Sequence, residues 1–239
     1  MSLQKLANRI RLNLEHFSTR ETAYDVFLRS INRVVFLKVF KAISLEGFNP
    51  EHVIIEPPFE WRQLDRMQLQ EFASSAEYDM PQEFLDSAIA KGDECYGVVV
   101  GEVLASYGWY SRQPTETSDD LMVSVNSDYV YMYKGFTHPR YRGQRLHAIG
   151  MSLALREYLN LGYKGLVSYV ESNNFSSLKS VYRLGYRDIG TIAACKIFGR
   201  TIIVASRKCR DFGFCFAPVR ASSQAEALSS EAPETVDVG

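Results

Sequence analysis

Residues suited to holding an anion cluster in one stretch, YVYMYKGFTHPRYRGQRLHAIGMSLAL, at positions 129–155. Tyr129, Tyr131 and Tyr133 alternate with Val130, Met132 and Lys134, which predicts a strand ending near Phe136 with the tyrosines on one face. His138-Pro139 then turns the chain, and a loop carrying Arg140, Arg142, Gly143 and Arg145 opens into an amphipathic helix expected over 143–161. Helix starts leave N–H groups unpaired and concentrate positive potential, which suits phosphate. Arginine grips phosphate through two parallel hydrogen bonds, so the three guanidinium groups fit a diphosphate cradle. A G-x-x-x-x-G-K-S/T loop is absent, which disfavours a nucleoside triphosphate, and without G-x-G-x-x-G a dinucleotide is a weak reading. The same residues also fit a simple turn glycine flanked by solvated arginines.

Side chains able to move protons are scattered around this stretch. Asp128 and Glu171 flank two predicted strands, and each also fits a solvated carboxylate at a strand end. His138 precedes a proline, where a turn role competes with chemistry, and His147 could touch phosphate or pack over a ligand. Cys95 sits in an apolar run without an obvious His partner and reads as core. The tyrosines at 129, 131 and 133 could line a pocket or pack under a covering layer. Trp61, Arg62 and Asp65 precede a predicted helix and receive no role.

Composition narrows the classes. The 239 residues are 46% hydrophobic, and 27 Lys plus Arg oppose 28 Asp plus Glu for a net charge of -1. That length can bury a substantial core as one domain with an extension, and the neutral balance speaks against nucleic acid as a partner. Fourteen Tyr and fourteen Phe argue against wholesale disorder. The four cysteines lack paired zinc-type spacing, so no metal is expected and reduced thiols suit a cytoplasmic protein. The greasiest early run, INRVVFLKVF, is interrupted by Arg33 and Lys38 and falls short of the roughly 20 apolar residues of a transmembrane segment.

The elements that must position these residues follow from periodicity. Two helices are expected before residue 32, one on a stripe through Leu3, Ile10, Leu12 and Phe17, the other over 22–31. The run 34–40 fits either a strand or the end of that helix. Helices are expected at 64–76 and 81–90, then a hairpin reversing near Gly101, the strand at 130–136, the long helix, a strand at 165–170 and a helix at 176–184. Two further strands turn at Phe198-Gly199-Arg200. This order implies an α/β layout with a mixed, mostly antiparallel sheet and flanking helices, divided as a helical extension (1–50), a catalytic domain (51–217) and a disordered acidic tail (218–239).

Two blocks carry a family resemblance. The loop resembles the acyl-CoA-binding motif of the GNAT acyltransferase superfamily, in which Arg or Gln, two residues, Gly, one residue and then Gly or Ala lie between the fourth strand and third helix. Arg142 takes the leading position with Gly143 beside it, while Arg145 and His147 stand at the two later small-residue positions. Some members carry instead R-G-x-x-L/I followed by Tyr or His, as Arg142, Gly143, Leu146 and His147 do. The second block, VSYVESNNFSSLKSVYRLGYRDIG, is similar to the family's strand, N-x-x-A/S and helix ending in G-F or G-Y, with Asn174, Ser177, Gly185 and Tyr186 on those positions. The tyrosine that many relatives place seven residues after the Asn is Val181 here, and Tyr182 follows it.

The resemblance implies a GNAT-like sheet whose two central parallel strands separate to admit pantetheine. It implies direct transfer of an acetyl or other acyl group from acyl-CoA to a small-molecule or protein amine. Gly135, Phe136 and Thr137 would meet the pantetheine and carbonyl, Arg142, Gly143, Gln144, Arg145, Leu146 and His147 the diphosphate, and Asn174 with Ser177 the second turn. Asp128, Glu171, His138 and Tyr182 are the candidates for proton transfer. A long-chain or carrier-linked donor and a CoA-binding module without turnover are the alternatives. A homodimer is compatible with the sequence.

Overall fold

The computed structural model describes residues 16–32, 35–117 and 119–219. Within them the chain runs α1 (Thr19–Ile31), β1 (Phe36–Leu45), a 3-10 turn (Pro50–Val53), β2 (Glu60–Gln63), α2 (Arg66–Ala73), a second 3-10 turn (Ala76–Tyr78) and α3 (Gln82–Lys91). It continues through β3 (Glu94–Val100), β4 (Val103–Ser111), β5 (Thr115–Glu116), β6 (Leu121–Ser124), β7 (Tyr129–Thr137), a third 3-10 turn (Pro139–Tyr141) and α4 (Leu146–Asn160). The last elements are β8 (Gly165–Glu171), α5 (Phe175–Leu184), β9 (Arg187–Ile197), β10 (Arg200–Ala205), α6 (Arg207–Phe212) and β11 (Cys215–Pro218). The expected stripe at Leu3–Leu12 and the acidic tail beyond 219 lie outside the described residues.

Local chemistry explains the boundaries. Ser18 and Glu21 form a capping box at the start of α1, and Asp65 with Gln68 does the same for α2, so Asp65 is a helix cap. Pro81 stands at the N-cap of α3, one residue before the helix, and Gly92 closes it in the left-handed region (φ 78°). The β9–β10 hairpin turns through Phe198 (φ 48°) and Gly199 (φ 75°), two consecutive positive-φ residues that match the twist of the flanking strands.

Eight strands form one sheet in the order β10-β9-β1-β8-β7-β4-β3-β2, and β11-β6-β5 form a second. The β7–β8 pair is parallel, and the remaining pairs are antiparallel. The expected mixed, mostly antiparallel α/β architecture is therefore observed. On one face Ile43, Leu45, Val130 and Leu166 pack against Met151, Ala154, Leu155 and Tyr158 of α4. On the other, Phe40, Ala42, Tyr131, Val167 and Ile192 meet Leu121, Val123, Phe214 and Phe216, while α2 and α3 cover β3 and β4. Among the described residues no helix is long and apolar enough to cross a membrane, and no group of three or more His, Cys, Asp and Glu could hold a metal.

Two expectations need correction. The run 34–40 is strand from Phe36, and β1 hydrogen-bonds β8 on one side and β9 on the other. A boundary at residue 50 would therefore cut an interior strand away from its sheet. The second correction concerns alternation in β7. Its register with β4 slips between Trp109 and Tyr110, leaving Tyr133 as an extra residue between Met132 and Lys134. Past that bulge Lys134 no longer shares the face of Val130 and Met132, and its ammonium lies 4.7 Å from the Phe84 ring centre, on the α3 side.

Gly165 opens β8 where β1 ends. A Cβ there would run into the Leu45 carbonyl and approach Glu46 Cα to 3.1 Å, and both are backbone atoms that cannot rotate aside. Gly165→Val is expected to destabilise the fold by about 3 kcal/mol, as overpacking at a rigid contact does. Urea unfolding checks this, and an unchanged midpoint would contradict it.

Candidate functional site

The two parallel strands part company. They pair only at Tyr129–Gly165, Val130–Leu166 and Tyr131–Val167, although β7 continues to Thr137 and β8 to Glu171. From Met132 onward the ladder partner of β7 is β4, and from Ser168 that of β8 is β1. The facing edges form a wedge whose backbone N–H and C=O groups have no ladder partner across it. Beside the open end lies a cavity of about 420 Å³, walled by Thr137 from β7, Arg142, Gly143 and Arg145 from the turn, and Ser177 and Val181 from α5.

The turn is shaped by its sequence. His138 Nδ1 accepts the Arg140 N–H at 3.2 Å, which starts the 3-10 turn, and Arg142 Nε donates to the Thr137 carbonyl at 3.3 Å. Gly143 (φ 82°) and Arg145 (φ 60°) are both left-handed, so α4 begins at Leu146, three residues later than the periodicity predicts. Arg145 occupies a conformation that costs a non-glycine residue about 1–2 kcal/mol, at a position where the resembled motif carries glycine. Its side chain makes no cap bond, so the first N–H groups of α4, the helix whose first residues line the cavity, have no side-chain cap. No carboxylate belongs to the described cavity lining, and the local field is positive. A second cavity of about 360 Å³ shares Arg145, Ala148, Ser180 and Leu184 and adds His52 and Arg183. Gln144 lies apart, in a groove with Ile54, Ile55 and Phe59.

His147 is half-buried in the cavity wall. Burial lowers its pKa, and the Tyr107 backbone carbonyl facing the ring offsets part of that effect. An unfolded histidine titrates near about 6.5, so as pH falls through that value the unfolded chain takes up the proton first. The stability contributed by the neutral ring is complete above about 6.5 and is lost as pH falls from there toward the lower folded value. Unfolding midpoints from pH 7.5 to 5.5 should therefore fall more steeply for the native chain than for His147→Gln, and parallel curves would refute this.

The proton-transfer candidates are dispersed. Asp128 pairs with Lys164 at 2.6 Å and sits at the closed end of the wedge, seven residues before Gly135, which at about 3.3 Å per strand residue and with one residue taken up by the bulge is nearly 20 Å away. Glu171 ends β8 at the open end and pairs with Lys38 at 2.9 Å. His138 is buried in its turn, with Nε2 3.3 Å from Glu77. Tyr182 turns away from the cavity and donates to Asp188 at 2.6 Å, while Val181 faces in. The Tyr182 phenol is pushed well above its usual pKa, first by burial and then by Asp188.

Cofactor candidates divide too. Thr137, Arg142, Gly143, Arg145, Leu146, His147 and Ser177 line one cavity. Gly135 lies behind His147, and Phe136 stacks on Tyr107 at 5.3 Å, away from α4. Asn174 caps α5 through the Ser177 N–H, which commits its side-chain oxygen to the helix. The apolar lining from Ala148, Met151 and Leu184, together with Ser180, went unnoticed in the sequence because ordinary helix periodicity accounts for these residues. Tyr129 and Tyr131 are core under the small sheet, Tyr133 donates to Asp93 at 2.7 Å, and Cys95 is buried with its thiol pKa pushed up.

No family model and no curated protein matches the chain. Among solved structures it is similar to a putative acetyltransferase from the GNAT family of Novosphingobium aromaticivorans, at 16% identity and a TM-score of 0.49, over 72% of this chain and 67% of that one. A GNAT-family acetyltransferase from Colwellia psychrerythraea is 14% identical with a TM-score of 0.46, over 65% of this chain and 55% of its own length. An aminoglycoside N-acetyltransferase in complex with CoA is 16% identical with a TM-score of 0.42, over 54% and 91%. The chain thus spans little more than half the length of the second of these.

Proposed function

We propose that this chain is a GNAT-type acyltransferase that moves an acetyl or other acyl group from coenzyme A to an amine by direct attack. The observation that carries this reading is the divergence of β7 and β8 directly beside a basic, left-handed glycine turn that opens α4. The described cavity suits a diphosphate: it has arginines, uncapped helix N–H groups and no carboxylate in its lining. Bound acyl-CoA supplies an activated acyl carbon with a thiolate leaving group. Arg142 and Arg145 hold negative charge at the mouth, and Thr137 and Ser177 add hydroxyl groups to the cavity wall. Backbone N–H groups that β7 exposes along the wedge polarise the acyl oxygen. Of the four candidates for proton transfer, Glu171 is the carboxylate at the open end, and we assign it acceptance of the amine proton, directly or through water.

A CoA-binding module without turnover is the second reading. It is favoured by Val181 standing in the cavity wall while the Tyr182 phenol is engaged by Asp188. Acyl-CoA binding coupled to thiol release over a panel of donors and amines separates the two. Donor-dependent release with a matching acylated product supports transfer, and tight CoA binding without product across the panel favours the module. Folded protein that binds neither CoA nor a carrier thioester would sink both.

A further inference from the structure

Helix and strand are fitted to each other around His147. A Cβ on Gly135 would stand 2.8 Å from His147 Nε2 and 2.9 Å from Met132 Cε, so the ring occupies the place of a strand side chain. Gly135 lies opposite Gly108 in the β4–β7 ladder, and the two glycines open a notch without Cβ atoms on the α4 face of the sheet. A Cβ on Gly108 would stand 2.9 Å from the Tyr110 hydroxyl, so the Tyr110 phenol fills the other half of that notch. Bulk is thus carried on the helix at 147 and removed from the strand at 135.

The notch falls two residues past the β7 bulge, on the segment that pairs with β4 but not with β8. A strand end supported on one side opens more readily than one paired on both. The imidazole reaches this segment from the first turn of α4 and fills the strand face at Gly135. We infer that His147 is a positioning residue: seated in the notch at Gly135, it locks the free end of β7 to the first turn of α4, so that the anion-binding turn and the carbonyl-polarising strand keep one spacing. The catalytic consequence rests on the acyl-transfer reading, whereas the lock itself does not.

The test uses the full chain with His147→Ala, His147→Gln, Gly135→Ala and the double variant Gly135→Ala/His147→Ala. CoA affinity, single-turnover acyl transfer and amide exchange are measured on each. His147→Ala should lower transfer about 100-fold, the scale of an ångström-sized misplacement, with a smaller loss of CoA affinity. Exchange should rise together at 132–137 and 146–149 but not in α3 or β3. Gln refills part of the notch and should lose less transfer than Ala. Gly135→Ala should be harmful with His147 present and milder in the double variant, where its methyl enters vacated space. Unchanged exchange in both segments of His147→Ala, or losses at 135 and 147 that simply add, would overturn the lock. If the native chain binds no CoA or other thioester donor, the acyl-transfer reading falls, and the exchange pattern and the same cycle in unfolding free energy still decide the lock.

Discussion

A chain cut to residues 51–219 should fail to fold cooperatively. The cut removes β1, the strand through which β9 and β10 join the rest of the sheet. It also removes Phe40, Ala42, Ile43 and Leu45, each at most 1% exposed and divided between both faces of the sheet. Burying Phe40, Ile43 and Leu45 contributes roughly 1.5–3 kcal/mol each, a sum comparable with the roughly 5–15 kcal/mol that holds a whole domain together. The exposed edges of β8 and β9 would in addition invite aggregation. Far-UV circular dichroism and urea unfolding of the truncated chain check this. A single cooperative transition with a native-sized slope would show that β1 is dispensable.

Arg142→Ala should weaken CoA binding about 10- to 100-fold while leaving the unfolding midpoint in place. A charge-assisted hydrogen bond to phosphate is worth about 1.5–3 kcal/mol, which converts to that range of affinity. Arg142 is exposed, and its side chain donates to the Thr137 carbonyl at the turn, so truncating it leaves the core intact. Arg142→Lys should fall between the two, because it keeps the charge and loses the two-pronged geometry. Added salt should narrow the difference between native and Ala proteins, since the site is open to solvent and screened. Calorimetric titration with CoA measures all three, and equal affinity in a folded Ala variant would move the anion site away from this turn.

How much of this was legible depends on whether a residue's role is local. The Gly101 and Phe198-Gly199 hairpins and the strand–turn–helix around Arg142 are written in neighbouring residues, and each appears within a few positions of its predicted place. The start of α4 was misplaced because helical periodicity cannot register that Gly143 and Arg145 are left-handed. Asn174 is placed by the resemblance at the second strand-to-helix turn or against the cofactor, and only the structure shows its side chain accepting the Ser177 N–H.

The sequence by itself determined the order of α2, α3, β3, β4, β7, α4, β8, α5, β9 and β10, the mixed sheet and the basic turn, because hydrophobic period and turn residues act over one or two turns of chain, whereas the short β2, β5, β6, α6 and β11 carry too few residues to show a period. It could not determine that β1 lies inside the sheet rather than in an extension, since strand pairing joins residues over a hundred positions apart, such as Phe40 and Glu171. It could not foresee the bulge at Tyr133, because an extra residue is defined only against the register of a partner strand. That slip turns Gly135 toward α4, which is why His147 fits where the resembled motif expects a small residue. Only the tertiary structure could decide which polar side chains share a cavity, since it carries Asp128 to the closed end of the wedge and leaves Arg142, Arg145 and His147 together at the open one.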